Sequence, residues 1–172
     1  MTEALTRPAE ETATAGFRSF MAAFPAGVAI VTTIEPGGHP CGMTCTSLCS
    51  VTLRPPTILV CLRGSSPTLA AIVRRATFAV NLLHQAAEPA AALFASGAPD
   101  RFDRVRWSYS QDLGGPQLPD DAHATAHCSL RRAEPVGDHT VIFGEVFKIW
   151  QRAEPPQPLL YGQRRYAAWP GR

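Results

Sequence analysis

The apolar residues of this chain fall mostly into short blocks that are typical of β-strands. Three blocks, residues 27–33, residues 57–62 and Thr77–Leu83, are almost continuously apolar and contain many β-branched side chains, so we expect buried strands there. Residues 124–130 alternate between apolar and polar positions, which predicts a strand with one buried face. A turn at Val136-Gly137 precedes a longer predicted strand over residues 138–150.

Helical spacing is confined to three short segments. A helix over residues 14–24 is predicted by apolar residues that recur every three to four positions, namely Phe17, Phe20, Met21 and Phe24. Ser66 and Pro67 are the residue types of an N-cap and a first helical position, so a second helix should run to Arg75. A third short helix is expected over residues 88–95.

These elements predict a mainly β protein with peripheral helices. Six or more strands are interrupted by three helices that do not alternate regularly with them, which argues against a parallel doubly wound sheet. The strand spacing and turn residues favour a closed antiparallel barrel. The 172 residues suit one domain, expected over residues 16–172 after a flexible N-terminal tail of residues 1–15.

Composition narrows the class of protein. Hydrophobic residues make up 45% and charged residues 17%, which is too apolar for a disordered chain. The formal net charge of +2 predicts no nucleic-acid-binding surface, and no apolar run is long enough to span a membrane. Residues 1–15 lack the apolar core of a signal peptide, and the five cysteines are an odd number, so we expect a reducing, cytoplasmic location.

Small hydroxyl residues form the first candidate site. The segment Gly42-Met43-Thr44-Cys45-Thr46-Ser47, with Ser50 and Val51 behind it, offers hydroxyls and accessible backbone N–H groups to a flat polar heterocycle with a polyol tail. An edge strand rich in Thr and Ser would look the same. Cys41, Cys45 and Cys49 would lie about 13 Å apart in an extended chain, too far to share one metal ion.

The second candidate site is a helix start. In Arg63-Gly64-Ser65-Ser66-Pro67-Thr68 a strand ends and a helix begins, so unpaired N–H groups, serines and an arginine come together as in phosphate sites. A plain capped helix would carry a similar sequence. His139 in a Gly-Asp-His turn is either a dinucleotide contact or a surface residue.

The C-terminal segment is aromatic and basic. Tyr161, Arg164, Arg165 and Tyr166 could stack on an aromatic ring and hold a pyrophosphate, or simply form a basic final strand. No nucleophile with a base and an orienting acid stands out anywhere in the chain, and no serine lies in a G-x-S-x-G elbow. If the protein is an enzyme, a cofactor should therefore supply its reactivity.

The order of these motifs resembles the flavin reductase family with the FMN-binding split-barrel fold, the reductase components of two-component flavin-dependent monooxygenases. The resemblance covers residues 17–169 and rests on an ordered series: Phe20 with Pro25-Ala26-Gly27-Val28, Val31-Thr32-Thr33, Gly42-Met43-Thr44, Ser50-Val51-Thr52-Leu53-Arg54-Pro55-Pro56, Val60-Cys61-Leu62, Thr77–Leu83, Leu93-Phe94-Ala95, Asp100-Arg101-Phe102, Gly137-Asp138-His139, Gly144-Glu145-Val146, and Leu159-Leu160-Tyr161 with Arg165-Tyr166.

The resemblance implies a six-stranded Greek-key split barrel, a homodimer, and flavin near the subunit interface. The implied flavin contacts are Gly42, Met43, Thr44, Cys45, Thr46, Ser47, Ser50, Val51, Cys61, Leu62, Arg63, Ser66, Pro67, Thr68, Phe94 and Ala95. The implied nicotinamide contacts are His139 and, from the C-terminal segment, Tyr161, Arg164, Arg165 and Tyr166. Two segments depart from the family pattern: Cys45-Thr46-Ser47 replaces Ala-Ser-Ser, and Arg54 replaces an aspartate.

The implied activity is hydride transfer from NADH, or alternatively NADPH, to exchangeable FAD or FMN, which then leaves for a partner monooxygenase. No protein residue need act as an acid or base in that step, and no metal is implied. Two alternatives stay open at this point. One is a split-barrel FMN oxidase that resembles pyridoxamine phosphate oxidase, and the other is a non-catalytic flavin-binding or redox-sensing protein.

Overall fold

The computed structural model describes residues 7–154 and 156–170, with side chains from residue 12 on. The described chain is mainly β, as the sequence predicts. Its helices are α1 (Arg7–Ala22), α2 (Pro67–Arg75) and α3 (Glu88–Ser96), with a single 3₁₀ turn at Gln85–Ala87. Its strands are β1 (Ala26–Gly27), β2 (Ala29–Ile34), β3 (Pro40–Cys45), β4 (Leu48–Leu53), β5 (Pro56–Arg63), β6 (Thr77–Leu83), β7 (Ala122–Val136), β8 (His139–Gln151), β9 (Leu159–Gly162) and β10 (Arg165–Ala168).

Seven strands form one large antiparallel sheet in the order β3-β2-β6-β7-β8-β5-β4. The sequence predicts six strands in a closed barrel. The sheet instead has seven strands, and no backbone ladder joins its two edge strands in the described chain. The extra strand arises where the hydroxyl-rich segment divides. Up to Cys45 this segment forms β3 and pairs with β2. After Thr46 and Ser47 it continues as β4 and pairs with β5. The two edges are therefore adjacent in sequence.

A second, three-stranded sheet joins the two ends of the domain. Strand β9 pairs with β1 on one side and with β10 on the other, so the aromatic C-terminal segment forms a hairpin that packs beside the end of α1. The Gln163 N–H donates to the Ala22 carbonyl at 2.6 Å and holds the hairpin turn against that helix.

The first helix begins earlier and ends earlier than its apolar spacing predicts. It runs over Arg7–Ala22, so part of the predicted flexible tail is helical, and residues 1–6 lie outside the described residues. The side chains of Phe17, Phe20 and Phe24 are 64%, 71% and 65% exposed, because the aromatic face of this segment finds little of its own chain to cover it. The second helix is as predicted, with Ser66 accepting from the Leu69 N–H as N-cap.

Two hydrophobic clusters fill the interior. The first lies inside the curved sheet and includes Val60, Leu62, Phe78 and Ile142. The second lies under α3 and includes Phe94, Phe102 and Leu118. Phe102 packs edge to face on Phe94, with ring centroids 5.0 Å apart, and anchors the long loop between α3 and β7 against the helix.

The same loop is fastened to the sheet by a buried amide. The Asn81 Nδ2 lies 3.2 Å from both the Ile30 and the Pro116 carbonyl oxygens, and its Oδ1 accepts from the Leu118 N–H and the Thr125 hydroxyl at 3.2 and 3.0 Å. Within residues 114–118, only Gln117 pairs with another segment, through two backbone hydrogen bonds to Ser108. The other four residues are buried without a strand partner, so their backbone groups need such a side chain. Asn81 supplies both the donor and the acceptor.

His127 is a second buried polar side chain at this loop. It is fully buried, and its Nδ1 accepts from the Gly114 N–H at 3.2 Å, whereas its Nε2 has no hydrogen-bond partner among the described residues. Burial lowers the His127 pKa to about 4; Lys148 lowers it further and Asp112 opposes the shift. The imidazole is therefore neutral in the folded protein at pH 7.

We predict that Asn81→Ala lowers the free energy of unfolding by about 3–5 kcal/mol, because the Leu118 N–H and the Thr125 hydroxyl would lose their buried acceptor. Asn81→Asp keeps the acceptors and loses the donor, so it should be similarly damaging. Thr125→Ser, which keeps the hydroxyl, should cost about 1 kcal/mol or less. Urea denaturation measures all three. A loss of under about 1 kcal/mol in Asn81→Ala would contradict this role for the amide.

The depressed His127 pKa predicts a loss of stability in mild acid. Above about pH 6.5 the imidazole is neutral in both the folded and the unfolded chain and contributes nothing to the pH dependence. As the pH falls from about 6.5 to about 4, His127 binds a proton in the unfolded chain but not in the folded chain, so the free energy of unfolding falls. Between pH 7 and 4.5, His127→Gln should lose less stability than the wild type, by on the order of 2 kcal/mol. The exposed His39→Gln, as control, should behave like the wild type; equal pH slopes in all three proteins would exclude His127 as the cause.

Candidate functional site

A cavity of about 500 Å³ lies where β3, the start of α2 and the end of α3 meet. It is termed the basic cleft below, because its charged lining residues are Arg63 and Arg101. The full lining is Gly42, Met43, Thr44, Arg63, Ser65, Ser66, Pro67, Thr68, Phe94, Ala95, Gly97 and Arg101. The structure thus brings together the predicted helix-start residues, the first part of the hydroxyl-rich segment and the predicted pair on α3.

The basic cleft has the chemistry of an anion site. In the first turn of α2, Pro67 has no N–H and the Leu69 and Ala70 N–H groups already bond to Ser66, so the Thr68 N–H remains available beside the Ser65 and Ser66 hydroxyls. Ser66 is already engaged, because its Oγ caps the helix and donates to the Met43 sulfur at 3.2 Å. The guanidinium groups of Arg63 and Arg101 supply positive charge of a kind that pairs well with phosphate.

Arg101 was not among the residues that the sequence predicted for the site. Its Nη1 donates to the Ala98 carbonyl at 2.8 Å, and its Nε is buried with no hydrogen-bond partner among the described residues. A buried donor beside a cavity is a group that a bound anion would satisfy. The signal in the sequence was Asp100-Arg101-Phe102, where Phe102 packs into the core and so presents its neighbour to the cleft.

Close packing shapes the wall of this cleft at β3. A Cβ added at Gly42 would lie 3.0 Å from the Val31 carbonyl oxygen and 3.2 Å from the Phe102 ring, so only glycine fits there without displacing its neighbours. Thr44 donates its hydroxyl to the Ala91 carbonyl at 2.6 Å and fastens β3 to α3. The hydroxyl oxygen remains able to accept a hydrogen bond.

A second cavity, of about 810 Å³, lies between α1, the β4–β5 hairpin and the C-terminal hairpin. It is termed the aromatic cleft below. Its lining is Phe17, Arg18, Met21, Ala22, Phe24, Ala26, Thr46, Ser47, Leu48, Cys49, Leu59, Cys61, Tyr161, Gly162 and Arg164. Most of this surface is apolar, and the predicted residues Thr46, Ser47 and Cys61 form a small polar strip along it.

The two clefts are consecutive along two strands. Residues 42–44 of β3 line the basic cleft, and Thr46 and Ser47, which follow the buried Cys45, line the aromatic cleft. On β5, Arg63 lines the first cleft and Cys61 lines the second, and residues two apart in a strand share a face. Ser47 and Cys61 are tied together, because the Ser47 hydroxyl donates to the Cys61 carbonyl at 2.9 Å.

Four of the predicted flavin contacts have side chains outside both clefts. The side chains of Cys45 and Leu62 lie in the hydrophobic core, and burial raises the pKa of the Cys45 thiol. Strand alternation explains both positions, since their neighbours along the strand face the clefts. Ser50 and Val51 are exposed on the edge strand β4, beyond the end of the aromatic cleft.

The predicted nicotinamide contacts are divided between the surroundings of the basic cleft and those of the aromatic cleft. His139 lies opposite Arg63 across β5 and β8, at the basic end, with its Nδ1 2.7 Å from an Asp138 carboxylate oxygen. This hydrogen bond lowers the pKa of Asp138. At the other end, Tyr161 lines the aromatic cleft and Tyr166 packs against it, with ring centroids 5.1 Å apart.

The arginines of the C-terminal hairpin differ in where they lie. Arg164 lines the aromatic cleft, whereas Arg165 is exposed on β10 and its guanidinium approaches the Gln163 side chain at 3.4 Å. Among the described residues, no cluster of His, Cys, Asp and Glu side chains is arranged to hold a metal ion. None of the described helices is long and apolar enough to cross a membrane.

Comparison with known proteins assigns this architecture. Residues 21–170 match the family described as Flavin reductase like domain. The chain belongs to that family. A flavin reductase (NADPH) from Lentzea aerocolonigenes is 48% identical over 169 residues, which cover 98% of each protein. A flavin reductase (NADH) from Kitasatospora aureofaciens is 44% identical over 154 residues, 90% of this chain and 81% of that protein.

A solved structure supports the same assignment. The crystal structure of a nitrilotriacetate monooxygenase component B homologue from Mycobacterium thermoresistibile superposes with a TM-score of 0.86 at 33% identity. The match covers 94% of this chain and 89% of that one. The resemblance that the ordered motifs indicated is confirmed.

Proposed function

We propose that this flavin reductase transfers a hydride from a reduced nicotinamide nucleotide to free FAD or FMN and releases the reduced flavin to a partner monooxygenase. The observation that carries the proposal is the continuity of the two clefts. One end offers arginines and a helix start to a phosphate, and the other offers an apolar wall to a flat ring. The relatives named as NADPH and NADH flavin reductases support this activity over a flavin-retaining oxidase or a non-catalytic flavin carrier.

The residues fit a flavin nucleotide along the hydroxyl-rich segment. The phosphate would lie in the basic cleft against the start of α2, where Arg63 and the unpartnered Nε of Arg101 can donate to it. The polyol chain would follow Met43 and Thr44, and the ring would lie near Thr46 and Ser47. Five extended residues span roughly 17 Å, which suits a ligand with a phosphate at one end and rings at the other.

When both nucleotides are bound, the nicotinamide supplies the hydride and the flavin accepts it, so the protein contributes binding and orientation. Thr46, Ser47 and Cys61 present hydroxyl, thiol and backbone groups to the ring edge. Phe17, Phe24 and Tyr161 line the same cleft and offer apolar surface to the ring. Tyr161 and Tyr166 of the C-terminal hairpin, together with His139, would hold the nicotinamide nucleotide along the solvent-exposed side of the two clefts.

We also propose that the sheet is a Greek-key split barrel and that two chains form a homodimer. The adjacency of the edge strands β3 and β4 supports the first part, because it brings the two edges of the curved sheet together. The exposed aromatic face of α1 supports the second, since a second chain would remove Phe17, Phe20 and Phe24 from water. A cytoplasmic location and a single domain over residues 16–172 remain predictions of the sequence; of the predicted flexible tail of residues 1–15, residues 7–15 lie in α1.

An absorbance assay tests the activity. We expect the purified protein to be nearly colourless, because both clefts are open to solvent and should release flavin. It should oxidise a reduced nicotinamide nucleotide only after free FMN or FAD is added. A yellow protein that retains FMN and needs no added flavin would favour an oxidase. Absence of oxidation with either flavin and either nucleotide would refute the proposed function.

The phosphate assignment predicts that Arg101→Ala separates FMN from riboflavin. The KM for FMN should rise about 10- to 100-fold, because a charge-assisted hydrogen bond to the phosphate is lost. The KM for riboflavin, which has no phosphate, should stay within about threefold and shows that the variant folds. Arg104→Ala, an exposed arginine of the same loop outside the basic cleft, is the control. Equal losses with FMN and riboflavin would contradict the phosphate role of Arg101.

A further inference from the structure

The aromatic cleft carries a one-sided charge. Arg18 and Arg164 are the charged residues in its lining, and no carboxylate lies among them. Neither guanidinium forms an ion pair or a hydrogen bond with another residue in the part of the chain whose side chains are described. Most of the remaining wall is apolar or aromatic, so two unneutralised cations stand beside a surface that suits a ring.

The fold brings these two arginines to the same place. Arg18 and Ala22 lie one helical turn apart on α1 and therefore share a face, and both line the cleft. The Ala22 carbonyl accepts from the Gln163 N–H at 2.6 Å, which fixes the hairpin turn on that face of the helix. Arg164 is the next residue of the turn.

The turn also restricts the backbone at Arg164. Gln163 and Arg164 have φ values of 50° and 62°, the left-handed pair that a tight two-residue hairpin turn requires. Glycine or asparagine is the usual residue at such positions, so a long basic side chain there is conformationally costly and calls for a compensating role. Binding a ligand anion would provide one.

We infer that the nicotinamide substrate is NADPH and that its ribose 2′-phosphate binds between Arg18 and Arg164, with the adenine ring against Tyr161. This inference rests on the proposed function and goes further by naming the nucleotide. The 2′-phosphate is the group that distinguishes NADPH from NADH, and a guanidinium pairs well with a phosphate in any fold. In Rossmann-fold enzymes a carboxylate binds the free 2′-hydroxyl of NADH, and the described lining of this cleft has no carboxylate.

Steady-state kinetics with both nucleotides tests the inference. In the wild type, kcat/KM for NADPH should exceed that for NADH by about tenfold or more. Arg164→Ala should raise the KM for NADPH by about 10- to 100-fold while the KM for NADH and the kcat stay within about threefold, and Arg18→Ala should act in the same direction. Arg106→Ala removes an exposed arginine that pairs with Asp120 outside the aromatic cleft, and it should leave both nucleotides unchanged.

Calorimetric titration of the enzyme with adenosine 2′,5′-bisphosphate and with 5′-AMP gives a readout that does not need turnover. The bisphosphate should bind about tenfold or more tightly in the wild type, and Arg164→Ala should abolish the difference. If the arginines instead hold the pyrophosphate that both nucleotides share, Arg164→Ala would be equally harmful to NADPH and NADH, and this result would overturn the inference. Preference for NADH in the wild type would overturn it as well, while still leaving a functional flavin reductase. Failure of the proposed function itself would instead abolish oxidation of both nucleotides.

Discussion

The candidate site depends on a single buried amide. Asn81 lies in the middle of the large sheet, and its side chain bonds to β2, to β7 and to the irregular segment at Pro116 and Leu118. Burying backbone that has no strand partner is costly unless each N–H and carbonyl finds another group. An amide is suited to the task because it donates and accepts from one small side chain. With this anchor the loop between α3 and β7 can close over the interior of the domain.

The basic cleft takes its shape from that closure. The anchored loop carries Phe102 into the second core cluster, where it contacts Phe94 on α3 and lies against Gly42 on β3. Arg101 precedes Phe102, so the packing of the phenyl ring determines where the guanidinium can reach. The side chain that we propose as a phosphate ligand is thus positioned by the packing of its neighbour Phe102, and that packing does not depend on the ligand. Local stability and ligand recognition are carried by different residues.

The sequence predicted the elements better than their assembly. Apolar runs at Thr77–Leu83 and the Ser66-Pro67 helix start are local signals, and both appear in the structure as expected. The break at Thr46 and Ser47 was not predicted, because which neighbour a strand pairs with depends on distant residues such as Ala29 and Val60. Arg101 was missed for the same reason, since only the fold shows that its side chain lines a cavity. Cys45 and Leu62 illustrate the reverse: a motif marks a segment, and strand alternation then directs alternate side chains into the core.

The distribution of charge in the two clefts suits a ligand that binds and is then released. The chain has a formal net charge of only +2, yet both clefts present arginines without a carboxylate in their linings. Arg63, Ser65, Arg18 and Arg164 are all exposed, so water competes with a bound phosphate for each of them. Exposed cations attract nucleotides and orient them on approach, but they contribute much less to holding them than buried ones would. A flavin retained for many turnovers would need an enclosed phosphate site, whereas an open basic end and an apolar ring cleft allow the reduced flavin to leave.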